Sequence, residues 1–576
     1  MGLFRKKKKI SLWNAIGLLK KKTFFSKKGI HFLNIAQFLG VVNDNAFKFL
    51  ILFLFIDLKG VEHSSEILFW VGVVYVLPFL LFSSAAGVLA DRISKQKMII
   101  FIKSTEVILM ILGIFAFISK NEIASYSLLF FLSIHAAVFG PPKYSIIPEL
   151  VPINHIPRAN GLITSFTYLG IIMGTFLASA LARITGRNFP LAAGACAIIA
   201  LLGFISSLFI PKTEPKRSKK KINPLFAYEI YQTLRNAKRI PLLLPAIFGA
   251  SSFLFVGAFF QLNVIPYAIE SLELTEVGGG YLFLLTAIGI ALGAIVAGKL
   301  CKNRIDLGLA CLSGIVLSAL LFLIGEVSHP FILVLLFLFF LGVCGGMYIV
   351  PMESFIQTSS LEQKRGQIIA ANNFLSFCGV LIAPMLIYLF NGILHLTSAQ
   401  GFMVASILIL VFVLVITSHL SGYFFSFLNR FFLNPFFQVK LKNIPFIPHE
   451  PCVLLIPDFK RVYLSLLSAS NPNLHFYIPK EKKEMSDLIF TLFSPIHFLY
   501  TEMIPHSIAH AFTKSYKLNK EEVPCLLYPF FDETSEIRKV QKLDLFSLEV
   551  EKSSERMQGR WYNKRKELIF SFKKMF

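Results

Sequence analysis

Twelve stretches of this chain are apolar, carry few charges and are about as long as a helix that crosses a bilayer. They lie near residues 32–56, 67–88, 98–118, 125–141, 159–182, 189–210, 242–266, 279–298, 306–325, 330–350, 367–391 and 398–420. The hydrocarbon core of a membrane needs about 20 such residues at 1.5 Å of rise each. Inside lipid no water meets the backbone, so each span must close its own hydrogen bonds as a helix. The expected fold is therefore an all-α polytopic membrane protein with twelve transmembrane helices. Composition agrees: 55% of residues are hydrophobic and 61 are Phe, which excludes a soluble globular fold.

The net charge is +24, and the basic residues gather in particular loops. Asp91–Lys97, Lys299–Arg304, Lys364–Arg365 and the long stretch from Lys212 to Arg239 are basic overall. The alternating loops, Asp57–Glu66 and the one with Glu270, Glu273 and Glu276, are acidic or neutral; Arg183 and Arg187 break the pattern once. The positive-inside rule then places both termini in the cytoplasm. Clustering of this kind fits membrane topology and anionic lipid, not a nucleic-acid partner. The start, MGLFRKKKKISLW, has too short an apolar segment for a secretory signal, and Lys6 stands where a myristoylation signal wants Ser or Thr. It reads as a topology determinant. The seven cysteines are scattered without C-x-x-C spacing, so neither a disulfide framework nor a metal site is expected, and no cofactor.

The basic loop at 211–240 divides the spans six and six, and the halves echo one another. Gly87…Asp91-Arg92 is answered by Gly298…Arg304, Pro141-x-Lys143 by Pro351-x-Glu353, and Ala159-Asn160 by Ala371-Asn372. The offset stays at roughly 210 residues, as in transporters built from parallel repeats with the substrate site between the halves. The expected organisation is a basic tail (1–30), a six-helix bundle (31–210), a basic linker (211–240), a second bundle (241–422) and a small C-terminal domain (423–576).

Polar residues inside the spans are the candidate site, because insertion of an acid there costs about 2.5–3.5 kcal/mol and is tolerated where it faces a cavity or a charged partner. Asn43, Asp44 and Asn45 interrupt the run QFLGVVNDNAFKFLILFLF, and their offset partner region, SFLFVG at 252–257, is apolar. Fold symmetry therefore does not explain them. The alternative is an i,i+4 ion pair of Asp44 with Lys48. Lys103 and Glu106, at i,i+3, can pair on one face. Gln261 and Asn263 can line the pathway from the second half or act as interhelical glue, and Gly289-x-x-x-Gly293 reads as close-packing material.

Gly87-Val-Leu-Ala-Asp-Arg-Ile-Ser-Lys-Gln-Lys97 resembles the loop signature of the major facilitator superfamily, with Ser94 where that pattern usually has Gly. By that resemblance Gly87, Asp91 and Arg92 form a conformational-switch loop. QFLGVVNDNAFK (37–48), FGPPKYSIIPEL (139–150) with Ala159-Asn160-Gly161, GKLCKNRIDLGL (298–309) and GGMYIVPMESFIQ (345–357) with Arg365-Gly366 and Ala371-Asn372-Asn373 look like the lysophospholipid transporter branch. The resemblance covers about residues 30–420. It implies import or inward flipping of lysophosphatidylethanolamine-like lipids across a bacterial inner membrane, with Pro141, Lys143, Asn160, Pro351, Glu353 and Asn372 as cytoplasmic-end motifs. Asp44 can then meet a cationic amine or a coupling cation, and Lys103 the phosphate. A major facilitator exporter of other hydrophobic solutes is the alternative, since fold does not fix substrate.

After Leu420 the pattern changes. Short strand-like runs, Cys452–Ile456 and Pro524–Tyr528, alternate with charged stretches and read as a small α/β domain. VKLKNIPFIPHEPCVLLIPDFKRVYLSLLSAS (439–470) resembles the opening of glycerolipid acyltransferases, which need a His with an Asp five residues on. Here Phe459 and Leu464 stand at those positions, and Tyr528-Pro-Phe-Phe531 replaces the Phe-Pro-Glu-Gly signature. Neither Phe nor Leu moves a proton, so no enzyme activity is expected of the tail. It can bind lipid, dock a separate acyltransferase or acyl-carrier-protein system, or support the transporter; a bifunctional transporter–acyltransferase is the remaining alternative.

Overall fold

The computed structural model describes residues 12–218, 220, 222–223, 225–301 and 305–433, and seven strands beyond them. Its helices, in chain order, are α1 (Leu12–Lys59), α2 (Ser64–Arg92), α3 (Lys95–Ser119), α4 (Glu122–Ser145), the single turn α5 (Ile147–Leu150), α6 (Ile156–Ile184), α7 (Phe189–Leu208) and α8 (Phe226–Ala237). There follow α9 (Leu243–Glu270), α10 (Glu276–Leu300), α11 (Leu307–Glu326), α12 (Phe331–Ser359), α13 (Arg365–Ile387), α14 (Ser398–His419) and α15 (Ser421–Leu433). Twelve of these among the described residues are long and apolar enough to cross a membrane, one for each expected span.

Five of the twelve carry prolines inside, at Pro78, Pro141 with Pro142, Pro266, Pro351 and Pro384. In water such a residue ends a helix; in lipid there is no competing solvent, and neighbouring helices restore the freed carbonyls. Each half has its own apolar core. In the first half, Phe47, Leu50, Phe55, Met110 and Phe117 pack with Leu128 and Cys196. In the second, Phe259, Tyr267, Leu321, Leu338 and Phe402 do the same. Gly289 and Gly293 lie against the backbone of Phe339, Gly342 and Val343, so α10 and α12 touch main chain to main chain, as the small-residue spacing predicts.

The halves meet along two seams, α2 against α13 and α6 against α10. On the first seam Phe79 stacks on Phe377 at 3.8 Å, and a Cβ at Gly87 would strike Ala370 and the Gly366 carbonyl. The basic stretch between the halves is not wholly a linker. It contains α8, whose Glu229, Ile230, Thr233 and Ala237 face inward while Tyr228, Tyr231 and Arg235 are exposed. Phe226 meets Phe374 of α13 at 6.1 Å.

A second compact unit comprises Asp306–Leu312 and everything from Thr417 on. Its strands are β1 (Phe437–Lys442), β2 (Cys452–Ile456), β3 (Leu474–Pro479), β4 (Phe498–Thr501), β5 (Cys525–Pro529), β6 (Asp544–Lys552) and β7 (Lys566–Lys574). They form one sheet in the order β1-β7-β6-β2-β5-β3-β4, with only β6 and β7 antiparallel. The two strand-like runs read from sequence are neighbours in it, with Cys452 opposite Cys525. The helical part of the expected α/β domain, Phe459 and Leu464 lie outside the described residues, as do Arg5–Lys9 and Arg304.

Candidate functional site

Within the first half, three polar residues gather around the Glu106 carboxylate. Lys103 Nζ lies 2.6 Å from Glu106 Oε2, and Asn43 Nδ2 donates to Glu106 Oε1 at 3.2 Å. His135 Nε2 is 3.5 Å from the same carboxylate. All four side chains are buried. Room for the ammonium comes from Gly40, one turn before Asp44, where a Cβ would fall on Lys103 Nζ. The i,i+3 pairing expected of Lys103 and Glu106 is thus present. Its ammonium is already held by a carboxylate and lies 4.9 Å over the Phe139 ring, so it is poorly placed to take a phosphate.

Asp44 stands outside these bonds. Its Oδ1 is buried without a hydrogen-bond partner. The i,i+4 ion pair with Lys48 does not form: Lys48 Nζ donates to Asn45 Oδ1 at 3.3 Å and sits 5.0 Å over the Tyr75 ring. Asn45 in turn donates to the Val41 carbonyl. Glu106, Lys103, Lys48 and Lys143 are the charges that act on Asp44.

Between the halves, Asn160 on α6 donates to Ser354 Oγ (2.9 Å) and Gln357 Oε1 (3.1 Å) on α12, and Gln357 Nε2 returns a bond of 2.9 Å. Beside this amide pair lies a small cavity with room for about a single water, lined by Tyr144, Glu353, Gln357, Asn372 and Asn373 among others. Lys143 makes no ion pair among the described residues; its ammonium rests 4.5 Å over the Tyr144 ring. Pro141 and Pro351, two residues before these charges, lie inside α4 and α12 at matching places of the two halves. Gln261 stands apart from all of this on an exposed face, and Asn263 donates to the Ser398 carbonyl instead.

The Gly87–Lys97 loop ties α2 to the start of α13. Asp91 bonds the start of α13, while Arg92 is half-buried and makes no ion pair among the described residues. Arg365 donates to the Gln357 and Ser360 carbonyls and so finishes α12. Ser94, the departure from the loop pattern, caps α3 through Lys97 N–H and meets Thr213 Oγ1 at 3.2 Å. Lys95 is fully buried and pairs with Glu149 at 2.7 Å. Lys216 crosses to Glu362 at 2.9 Å and holds that carboxyl below the usual glutamate range. At the other end, Arg187 pairs with Asp57, so the basic residue that broke the charge pattern has an acid waiting.

Sequence reasoning missed His135, Tyr144, Gln357 and Gln367. For His135 a signal existed: it lies at i−4 and i−8 from Phe139 and Lys143, on one face of α4. For the others only tertiary contact reveals the role.

Residues 33–384 match the family model described as Major Facilitator Superfamily. The chain is similar to the lysophospholipid transporter LplT of Escherichia fergusonii, 27% identical over 337 residues that make 57% of this chain and 80% of the relative. It is equally similar to the LplT of Citrobacter koseri, 27% over 337 residues with the same coverage. Among solved structures, the human organic anion transporter TETRAN superimposes with a TM-score of 0.56 at 15% identity, over 67% of this chain and 99% of that one. The fucose:proton symporter FucP of E. coli gives 0.54 at 14%, over 67% and 98%. These two share the fold. The twelve spans, the two seams between halves, the Gly87–Lys97 loop and the match over residues 33–384 lead to one conclusion: the chain belongs to the Major Facilitator Superfamily.

Proposed function

We infer that the chain moves lysophospholipids such as lysophosphatidylethanolamine across the inner membrane by alternating access, with both termini cytoplasmic. The observation that carries this is a charge-balanced group set in apolar spans: Asp44, Glu106 and Glu353 against Lys48, Lys103 and Lys143. A site that is neutral as a whole but strongly polar in parts suits a zwitterionic head, while the phenylalanine-rich surroundings suit one acyl chain. The similarity to the LplT proteins supports the same reading. The end closed by Asp91 and Lys216 would be the cytoplasmic one, and the bundle would await substrate from the other side.

The C-terminal sheet, mostly parallel, is compatible with an acyltransferase-like domain that has lost its His and Asp. Its role would be to hold lipid or a partner enzyme rather than to transfer an acyl group.

The test is uptake of labelled lysophosphatidylethanolamine by spheroplasts lacking their own transporter. The intact chain should transport, and Asp44→Asn should lose about tenfold or more while reaching the membrane at the same level. An intact chain that is present and moves no lysolipid would overturn the reading and favour another hydrophobic solute.

A further inference from the structure

Two symmetry-related positions carry opposite charges. Lys143 follows Pro141 on α4 by two residues, and Glu353 follows Pro351 on α12 by the same two. They belong to different halves and act on one another electrostatically, yet no ion pair joins them. Among the described residues, the Lys143 ammonium lies over the rings of Phe139 and Tyr144 and joins no ion pair. Glu353 Oε2 is buried with no hydrogen-bond partner.

A second unpartnered acceptor lines the same cavity. Asn372 is 7% exposed and its Oδ1 has no partner. Broken symmetry explains why. Its counterpart Asn160 finds Ser354 and Gln357 on α12. The positions equivalent to those, 210 residues earlier, are Tyr144 and Ile147, and Ile147 offers nothing to bond. The cavity therefore presents two bare acceptors, one of them charged. Its size, about that of a water molecule, also matches a primary ammonium group. Lys143 acts on both carboxylates, and Asp44 also feels three further charges, Glu106 among them. Glu353 is the acid that shares its cavity with a second bare acceptor, which makes it the better-formed cation site.

We propose that Lys143 and Glu353 grip the two charges of the head group from opposite halves, with the phosphate on Lys143 and the primary ammonium on Glu353 and Asn372. This rests on the lysolipid reading above; it replaces Lys103, whose charge is already spent on Glu106, and leaves Asp44 to a coupling cation, whose loss in Asp44→Asn would lower transport of both lipids alike. It also makes the head group the bridge that an ion pair would otherwise form, so substrate draws α4 and α12 together. A charge-assisted bond in a buried site discriminates strongly against a ligand that lacks the matching group.

The experiment uses the full chain in proteoliposomes, with lysophosphatidylethanolamine and lysophosphatidylglycerol measured on the same preparation. The ratio of the two rates does not depend on how much of a variant folds. Glu353→Gln should lower the ethanolamine lipid about tenfold relative to the glycerol lipid, and Asn372→Ala should move the ratio the same way by less. Lys143→Gln should lower both lipids alike, since both carry phosphate. An unchanged ratio in Glu353→Gln overturns the assignment, because a carboxylate that merely attracts the other half would affect both lipids equally. If the wild-type chain moves neither lipid, the function reading itself fails and this assignment falls with it.

Discussion

Asp91 on α2 accepts hydrogen bonds from the backbone N–H groups of Gly366 and Gln367 on α13, at 2.7 and 3.0 Å, and a third from Gln367 Nε2 at 3.0 Å. The first turn of a helix has N–H groups with no partner of their own and a positive dipole end. One half thus supplies the N-terminal cap for a helix of the other. Asp91→Asn keeps the shape and loses the charge, at about 1–3 kcal/mol. Alkylation of Ser354→Cys, buried at the nearby α6–α12 contact, should then rise severalfold. An unchanged rate would show that the cap does not hold this end shut.

The Lys103–Glu106 pair makes a prediction about stability rather than recognition. Removing one partner of a buried pair strands the other charge and costs about 3–5 kcal/mol. Glu106→Gln should lower the melting temperature in detergent clearly, and Lys103→Met together with Glu106→Gln should recover most of the loss. A double variant no better than the single one would mean that the charges do not depend on each other.

Gly40→Ala probes the same group from the backbone side. On an ordinary helix the change stabilises by about 0.5–1 kcal/mol. Here the new methyl meets Lys103 Nζ, so overpacking of about 1–3 kcal/mol should reverse the sign. In a Lys103→Met background the penalty should shrink. Stabilisation by Gly40→Ala in the wild-type chain would contradict the contact.

The Lys216–Glu362 tie should respond to acid. Lys216 depresses the folded-state pKa of Glu362, so the contribution is full above the unfolded glutamate value and fades as pH falls through the lower folded one. Glu362 is 65% exposed, which limits the effect to about 0.5 kcal/mol. Wild type and Glu362→Gln should differ slightly in melting at pH 7 and converge near pH 3. A gap that persists in acid would assign the difference to something other than charge.

The twelve spans were legible because each buries its backbone alone, so length and hydropathy suffice to find them. The repeat was legible from landmarks such as Pro141 and Pro351. What the sequence hides is who meets whom. Asp44 and Lys48 have the spacing of an ion pair, but Asn45 takes the lysine. Gln261 looks like a pathway amide and faces outward, since one residue on a helix turns the side chain by about 100°. Helix α8 is short and charged, and its inward stripe of Ile230, Thr233 and Ala237 only becomes apolar surface when a bundle is there to cover it.

The segment that joins the halves does not hang free between them. Thr213 and Ser218 bond the Asp91–Gln96 loop of the first half, at Ser94 Oγ, Gln96 N–H and the Asp91 carbonyl. Lys216, between them, reaches Glu362 of the second. Within residues 213–218 three hydrogen bonds hold the first half and one ion pair the second, so this stretch should stay with the first half when this end parts. It then acts as a tether of fixed length that keeps Lys216 at high effective concentration for Glu362. Under the alternating-access reading, each opening would be answered by a closing that need not search for its partner, and the resting state would be set by chain connectivity as well as by the contacts it restores.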